Sequence, residues 1–165
     1  MYKTLLCLSV LLVNVLVARA QTDSSTTPSS IKTLTLSQYA DIQKGPGLEQ
    51  MALPATLNKY PMPDDVLRLK KELKLTDEQV KKIIAISKYL QLKKTEIGQS
   101  VLRNEKKLDE LFQTKKVDEG SITFYGNRYG LYEGEYRTSV LQACYNTYNA
   151  LTPQQTTQFW KLKKP

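Results

Sequence analysis

Histidine is absent from the 165 residues, and only two cysteines occur, Cys7 and Cys144. Zinc, copper and nickel sites draw on imidazole or on several thiolates. A metal centre would therefore have to rest on Met51, Met62 and carboxylates, which could form at most a weak site. The same absence removes the commonest general base. With no Gly-rich phosphate loop and no cysteine nucleophile beside a partner, no constellation for acid, base or nucleophilic catalysis remains. Neither a cofactor nor an enzyme activity is expected. No segment alternates apolar and polar residues for long enough to build a sheet, so the expected class is all-α.

Long apolar runs are also missing, apart from one at the N-terminus. Lys3 opens it, Thr4 to Val17 is apolar except for Thr4, Ser9 and Asn14, and Ala18-Arg19-Ala20 has the small-x-small form of a cleavage site. This reads as an export signal over residues 1–20. About fourteen residues fall short of the ~20 that span a bilayer, which argues against a retained anchor and against stable membrane insertion after cleavage. The expected location is the periplasm. Removal of the signal leaves Cys144 alone, which excludes an intramolecular disulfide even in an oxidising compartment. On the apolar side between Leu141 and Tyr148, Cys144 is expected as a buried free thiol, with an intermolecular disulfide as the alternative.

Residues 21–165 hold 22 basic and 16 acidic residues. That balance attracts acidic or mixed-charge partners over short range, while nucleic acid is a poor candidate outside the cytoplasm. Residues 21–44, rich in Ser and Thr, are expected to be a flexible tether. Residues 45–63, punctuated by Gly45, Pro46, Gly47, Pro54, Pro61 and Pro63, are expected to form an extended arm on the core. Residues 64–164 read as one helical domain of four helices. A short one follows Pro63, with Asp64 and Asp65 at the positive end of its dipole. The next runs from about Thr76 to Lys116 with a 3.6-residue apolar period through Val80, Ile83, Leu90, Ile97, Val101 and Leu108. At ~1.5 Å per residue it is a rod of roughly 60 Å, so it either bends near Gly98 or meets another chain. A third spans about Asp118 to Ala150, and a fourth starts at Thr152. The two long helices are expected to lie antiparallel in an elongated, hairpin-like subunit.

Two segments repeat one pattern, L-T-x-x-Q: Leu75-Thr76-Asp77-Glu78-Gln79 and Leu151-Thr152-Pro153-Gln154-Gln155. Each is a capping box. The threonine hydroxyl accepts from the backbone N–H three residues on, and the glutamine side chain reaches back to the threonine N–H. Pro153 suits the first helical position, and Leu75 can staple onto Val80. One such box marks only a helix start. Two, separated by two long helices, resemble the paired motif of the Spy/CpxP family of periplasmic proteins, as do Leu53-Pro54 to Pro63 and Tyr148 to Phe159. The resemblance covers residues 45–162 and implies a thin, curved, antiparallel homodimer that holds unfolded or partly folded envelope proteins without nucleotide under envelope stress. Other branches of the family imply a regulator that docks on an envelope sensor, or a metal-sensing protein.

Charge suggests where clients would bind. Residues 64–116 contain 14 basic and 9 acidic residues, whereas 118–150 contain 2 and 4. Lys81, Lys82, Lys93, Lys94 and Arg103 are candidates for the binding surface, against the plainer reading of a solvated helix face. Tyr125, Tyr129, Tyr132 and Tyr136, spaced 4, 3 and 4, share a helix face as a core, a dimer seam or a client surface. Beside them Gly126, Gly130 and Gly134 each cost about 1 kcal/mol of helix propensity relative to alanine. Close approach of another helix is the expected compensation, and local fraying the alternative.

Overall fold

The computed structural model describes residues 27–31, 34–44 and 48–163, so the expected export segment lies outside the described residues. Among these there are six helices and no strand: α1 (Leu36–Lys44), α2 (Leu48–Leu57), α3 (Pro63–Arg68), α4 (Asp77–Gln113), α5 (Glu119–Ala150) and α6 (Pro153–Leu162). The chain is all-α. Two of its helices stand where none was expected.

The first lies in the segment read as a tether. Leu34-Thr35-Leu36-Ser37-Gln38 is a third L-T-x-x-Q, and it caps α1 as the others cap theirs. Thr35 N–H donates to Gln38 Oε1 at 2.8 Å and Gln38 N–H to Thr35 Oγ1 at 3.2 Å. Ahead of it the chain folds back on itself. Ser29 N–H donates to Leu34 O, Leu36 N–H donates to Thr27 O, and Ile31 between them is only 3% exposed.

The second, α2, replaces the extended arm. It contains Pro54, whose missing N–H and ring are costly inside a long helix. The loss is offset by packing of Met51, Ala52 and Ala55 into the central cluster.

α4 and α5 pack antiparallel as a hairpin; α1 lies on α4, α2 lies on α5, and α3 touches both. At ~1.5 Å per residue the 37 residues of α4 extend ~55 Å without a break at Gly98. Gly98 serves instead as a crossing point. An ideal Cβ built there would lie 2.5 Å from Ile42 O, so only glycine lets α1 come so near.

Two apolar clusters hold the fold. The central one joins Ala52 of α2 to Leu90, Ile97 and Val101 of α4 and to Tyr136, Val140, Ala143 and Cys144 of α5. The basal one joins Val66, Leu73, Ile83, Ala150 and Phe159, with Leu75 and Leu151 of the two motifs packed against it. Beyond the central cluster the hairpin is thin: no residue of α5 before Tyr136 is buried.

Three segments end the same way. Tyr60 N–H reaches Ala55 O, Leu75 N–H reaches Lys70 O, and Lys116 N–H reaches Leu111 O. The residue before each donor is a lysine with positive φ: Lys59 at 68°, Lys74 at 49° and Lys115 at 57°. This is the Schellman closure with lysine where glycine is usual. α3 ends earlier, at Arg68 with Leu69 as its C-cap, and the closure at Lys74 ends the turns of residues 69–74 that follow, so the first helix expected after Pro63 is shorter than its apolar pattern suggested.

Candidate functional site

The two motifs read as separate helix starts meet in space. Thr76 and Thr152 each cap their helix as expected, with the hydroxyl accepting from Gln79 N–H and Gln155 N–H, both at 3.2 Å. The glutamines then do more than return to their own threonines. Gln79 Nε2 donates to Gln155 Oε1 at 2.7 Å, and Gln155 Nε2 donates to Gln79 Oε1 at 3.0 Å. The remaining donor of each amide reaches a backbone carbonyl beside the other motif. Gln79 donates to Ala150 O at 2.9 Å and Gln155 to Leu73 O at 3.3 Å. Each Oε1 also accepts from its own threonine N–H, at 3.0 Å and 2.9 Å. Every donor of both amides is used, and each oxygen accepts twice, so two half-buried polar groups carry no unmet hydrogen bond.

Around this pair the base is tied at several points. Asp65 pairs with both Arg68 and Lys163, linking α3 to the end of α6. Trp160 Nε1 donates to Lys59 O at 3.0 Å, and the Lys59 ammonium lies 4.9 Å from the Trp160 ring centroid. Tyr60 stands against Tyr145 and Tyr148 of α5. Asp118 and Ser121 form a further capping box at the start of α5. The Ser121 hydrogen bonds hold the Asp118 carboxyl below its ordinary pKa.

The expected cationic surface divides into several places. Lys81 and Lys82 are exposed on α4, and Lys82 borders a shallow groove with Tyr89, Ser139 and Gln142. Lys93 is spent on Glu96 at 3.2 Å and Glu135 at 3.5 Å. Those carboxylates, Glu96 first, hold its ammonium above the usual lysine range. Lys94 lines a crevice beneath α1. Arg103 lies in a polar groove with Lys107, Asn104 and Arg128. The collective excess therefore does not form one patch.

The tyrosine stripe runs along the α4–α5 seam, and only its last member, Tyr136, is buried. Tyr125 and Tyr132 are half-buried, Tyr129 is 37% exposed and Tyr136 is 4% exposed. Burial pushes the Tyr136 hydroxyl up to about 12. Tyr132 accepts from Arg128, whose guanidinium also lies over Phe124. The glycines beside this stripe face nothing: a Cβ at Gly126, Gly130 or Gly134 would meet no atom within 4 Å. Among the described residues no other helix approaches there, so the expected compensation is not found.

Cys144 is a buried free thiol, with its Sγ 3.2 Å from Met62 Sδ. Burial, then the Asp65 charge, pushes it up to about 11. Among the described residues no group of three His, Cys, Asp or Glu side chains gathers where it could hold a metal ion, and no helix is long and apolar enough to cross a membrane.

The glutamine pair and the third capping motif were both missed by sequence reasoning. The motif could have been found, since Leu34 to Gln38 carries the same letters. The pair could not, because a capping box already accounts for its glutamine. Comparison of the chain with protein-family models, with curated proteins and with solved structures gives no match.

Proposed function

We propose that this chain is an exported, ATP-independent periplasmic chaperone of the Spy/CpxP type, which holds unfolded or partly folded envelope proteins on its α4–α5 hairpin and works as an antiparallel homodimer. The observation that carries this reading is the joining of the two L-T-x-x-Q motifs through Gln79 and Gln155, which makes them one structural unit at the base of the hairpin. The resemblance to the family rests on the same residues.

The hairpin surface supports it further. Large apolar side chains stand in solvent along both helices: Tyr89, Leu92 and Phe112 on α4, and Ile122, Phe124 and Leu131 on α5, the last 67% exposed. Cations lie among them at Arg103, Lys107 and Arg128. Such a surface gathers a charged, partly unfolded chain at a distance and holds it weakly by apolar contact, with release that needs no nucleotide.

The test is suppression of aggregation of two unrelated denatured proteins without nucleotide, at near-stoichiometric ratios, with light scattering giving the chaperone's mass. Suppression of both by a dimer is expected, with the effect reduced by Arg103→Glu and Leu131→Ser. No suppression by a folded protein would overturn the reading in favour of a regulator docked on one envelope sensor.

A further inference from the structure

Arg103 of α4 and Arg128 of α5 line the same polar groove on the hairpin, and neither has a carboxylate within ion-pair distance among the described residues. Two guanidiniums left unspent across one seam repel each other, and an anion between them would relieve it. The carboxylates nearby are committed elsewhere. Glu96 and Glu135 border the groove but share Lys93, at 3.2 Å and 3.5 Å, and Glu110 takes Lys107 at 3.4 Å.

Both arginines are nevertheless held in place, by neutral partners that leave their charge free. Arg128 donates to the Tyr132 hydroxyl from Nε at 3.1 Å and from Nη2 at 2.5 Å, and its guanidinium stands 5.1 Å and 5.5 Å from the ring centroids of Phe124 and Tyr132. Arg103 Nη2 donates to Ser100 Oγ at 2.9 Å. A guanidinium has more N–H donors than these bonds use, so each arginine keeps several for a guest. Much of the entropy cost of fixing two long side chains is met before any guest arrives.

The groove offers about 530 Å³ of open space, and its lining is mainly polar. That size suits a small ligand, and that polarity a hydrophilic one. A carboxylate is planar, and its two oxygens meet one arginine fork side by side. A phosphate monoester has three terminal oxygens and close to two negative charges, so it can turn a different pair of oxygens toward each wall. We propose that this groove binds the phosphate monoester group of a polar molecule or headgroup, bridged between Arg103 and Arg128 with Lys107 at its edge. The site stands apart from the chaperone reading, since it would exist in a protein that holds no clients.

Glycerol 3-phosphate and succinate test it, both carrying about two negative charges near neutral pH and differing in the shape of the charged group. Each is titrated into the protein at constant ionic strength while the Nε–H resonances of Arg103 and Arg128 are followed by NMR. Glycerol 3-phosphate is expected to shift both resonances along one saturating curve and to bind about three- to tenfold more tightly than succinate. Arg103→Lys and Arg128→Lys keep the charge and lose the fork, and each should weaken the phosphate about fivefold. Both positions are exposed, so the variants should melt with the unaltered protein. Phosphatidylcholine vesicles containing phosphatidic acid separate the two sources of the group. Sedimentation with them that is lost in either lysine variant assigns it to a lipid headgroup, and binding of glycerol 3-phosphate without sedimentation assigns it to a soluble ester. Equal binding of succinate, a shift at only one of the two arginines, or lysine variants that bind as the unaltered protein does would each overturn the proposal.

Discussion

Gln79 and Gln155, 76 residues apart, exchange two hydrogen bonds at 2.7 Å and 3.0 Å while each still caps its own helix. Removing either side chain strands the other. Gln79→Ala leaves Thr76 N–H, Ala150 O and half of the Gln155 amide without partners, and a cost of about 2–3 kcal/mol is expected. Gln155→Ala should cost a similar amount. The double variant should cost about 1–2 kcal/mol less than the sum, because the second removal has less left to break. Urea denaturation of the four proteins measures this, and strict additivity would show that the two amides are not energetically linked.

Lysine at positive φ after α4 is a strained choice that glycine would relieve. Lys115→Gly is expected to stabilise the protein by about 0.5–1 kcal/mol, the backbone relief being partly offset by glycine's freer unfolded chain. A thermal melt decides. A loss of stability would mean that the Lys115 side chain makes a contact worth more than the strain.

Gly98 and Gly130 should answer alanine in opposite ways. Nothing stands near Gly130, so Gly130→Ala is expected to add about 1 kcal/mol through helix propensity alone. At Gly98 the new methyl would collide with Ile42 O, and α1 should lift from α4. Hydrogen exchange over residues 36–44 would then lose its protection in Gly98→Ala and keep it in Gly130→Ala. Should Gly130→Ala weaken the protein in proportion to its dimerisation, the missing neighbour of the glycine row would be a second chain.

Burial raises Cys144 to about 11 and Tyr136 to about 12. In the unfolded chain these groups ionise near their ordinary values, so between about pH 9 and 12 the folded protein binds more protons than the unfolded one. Stability should therefore be level through neutral pH and fall as pH rises through that window. Each group should contribute on the order of 1–2 kcal/mol to the fall. Cys144→Ala and Tyr136→Phe should each flatten part of the alkaline slope in chemical denaturation. An unchanged slope in both would assign the fall to other groups.

What could be read from the sequence was set by how local its cause was. The starts of α4, α5 and α6 fall where Thr76, Asp118 and Thr152 put them, because a capping box is decided by four neighbouring residues. α1 obeys the same rule at Thr35 but sits in a Ser/Thr-rich stretch with little apolar period, which hid it. α2 was hidden by Pro54, whose cost is real but is outweighed by tertiary packing of Met51, Ala52 and Ala55. The stops at Lys59, Lys74 and Lys115 have no glycine to mark them. The candidate site was legible as two motifs and a row of tyrosines. The division of Lys81, Lys82, Lys93, Lys94 and Arg103 among separate places depends on which side of α4 its neighbours cover, and that is settled by α1 and α5 rather than by α4 itself.

The glutamine clasp and the unburied first half of α5 together make the hairpin a cantilever. One end is fixed where α3, α4, α5 and α6 converge, and the other, at the Thr114 turn, is held only by the two helices of the beam. The deflection of such a beam under a load at its tip grows with the cube of its free length, so a small force at the tip becomes a wide excursion there. Backbone order measured by NMR relaxation should decline steadily from Tyr136 toward Thr114 and not drop at any single residue. A surface mounted on such a beam changes its curvature as a whole, and its bending stiffness would set how closely it can follow the changing outline of whatever rests on it.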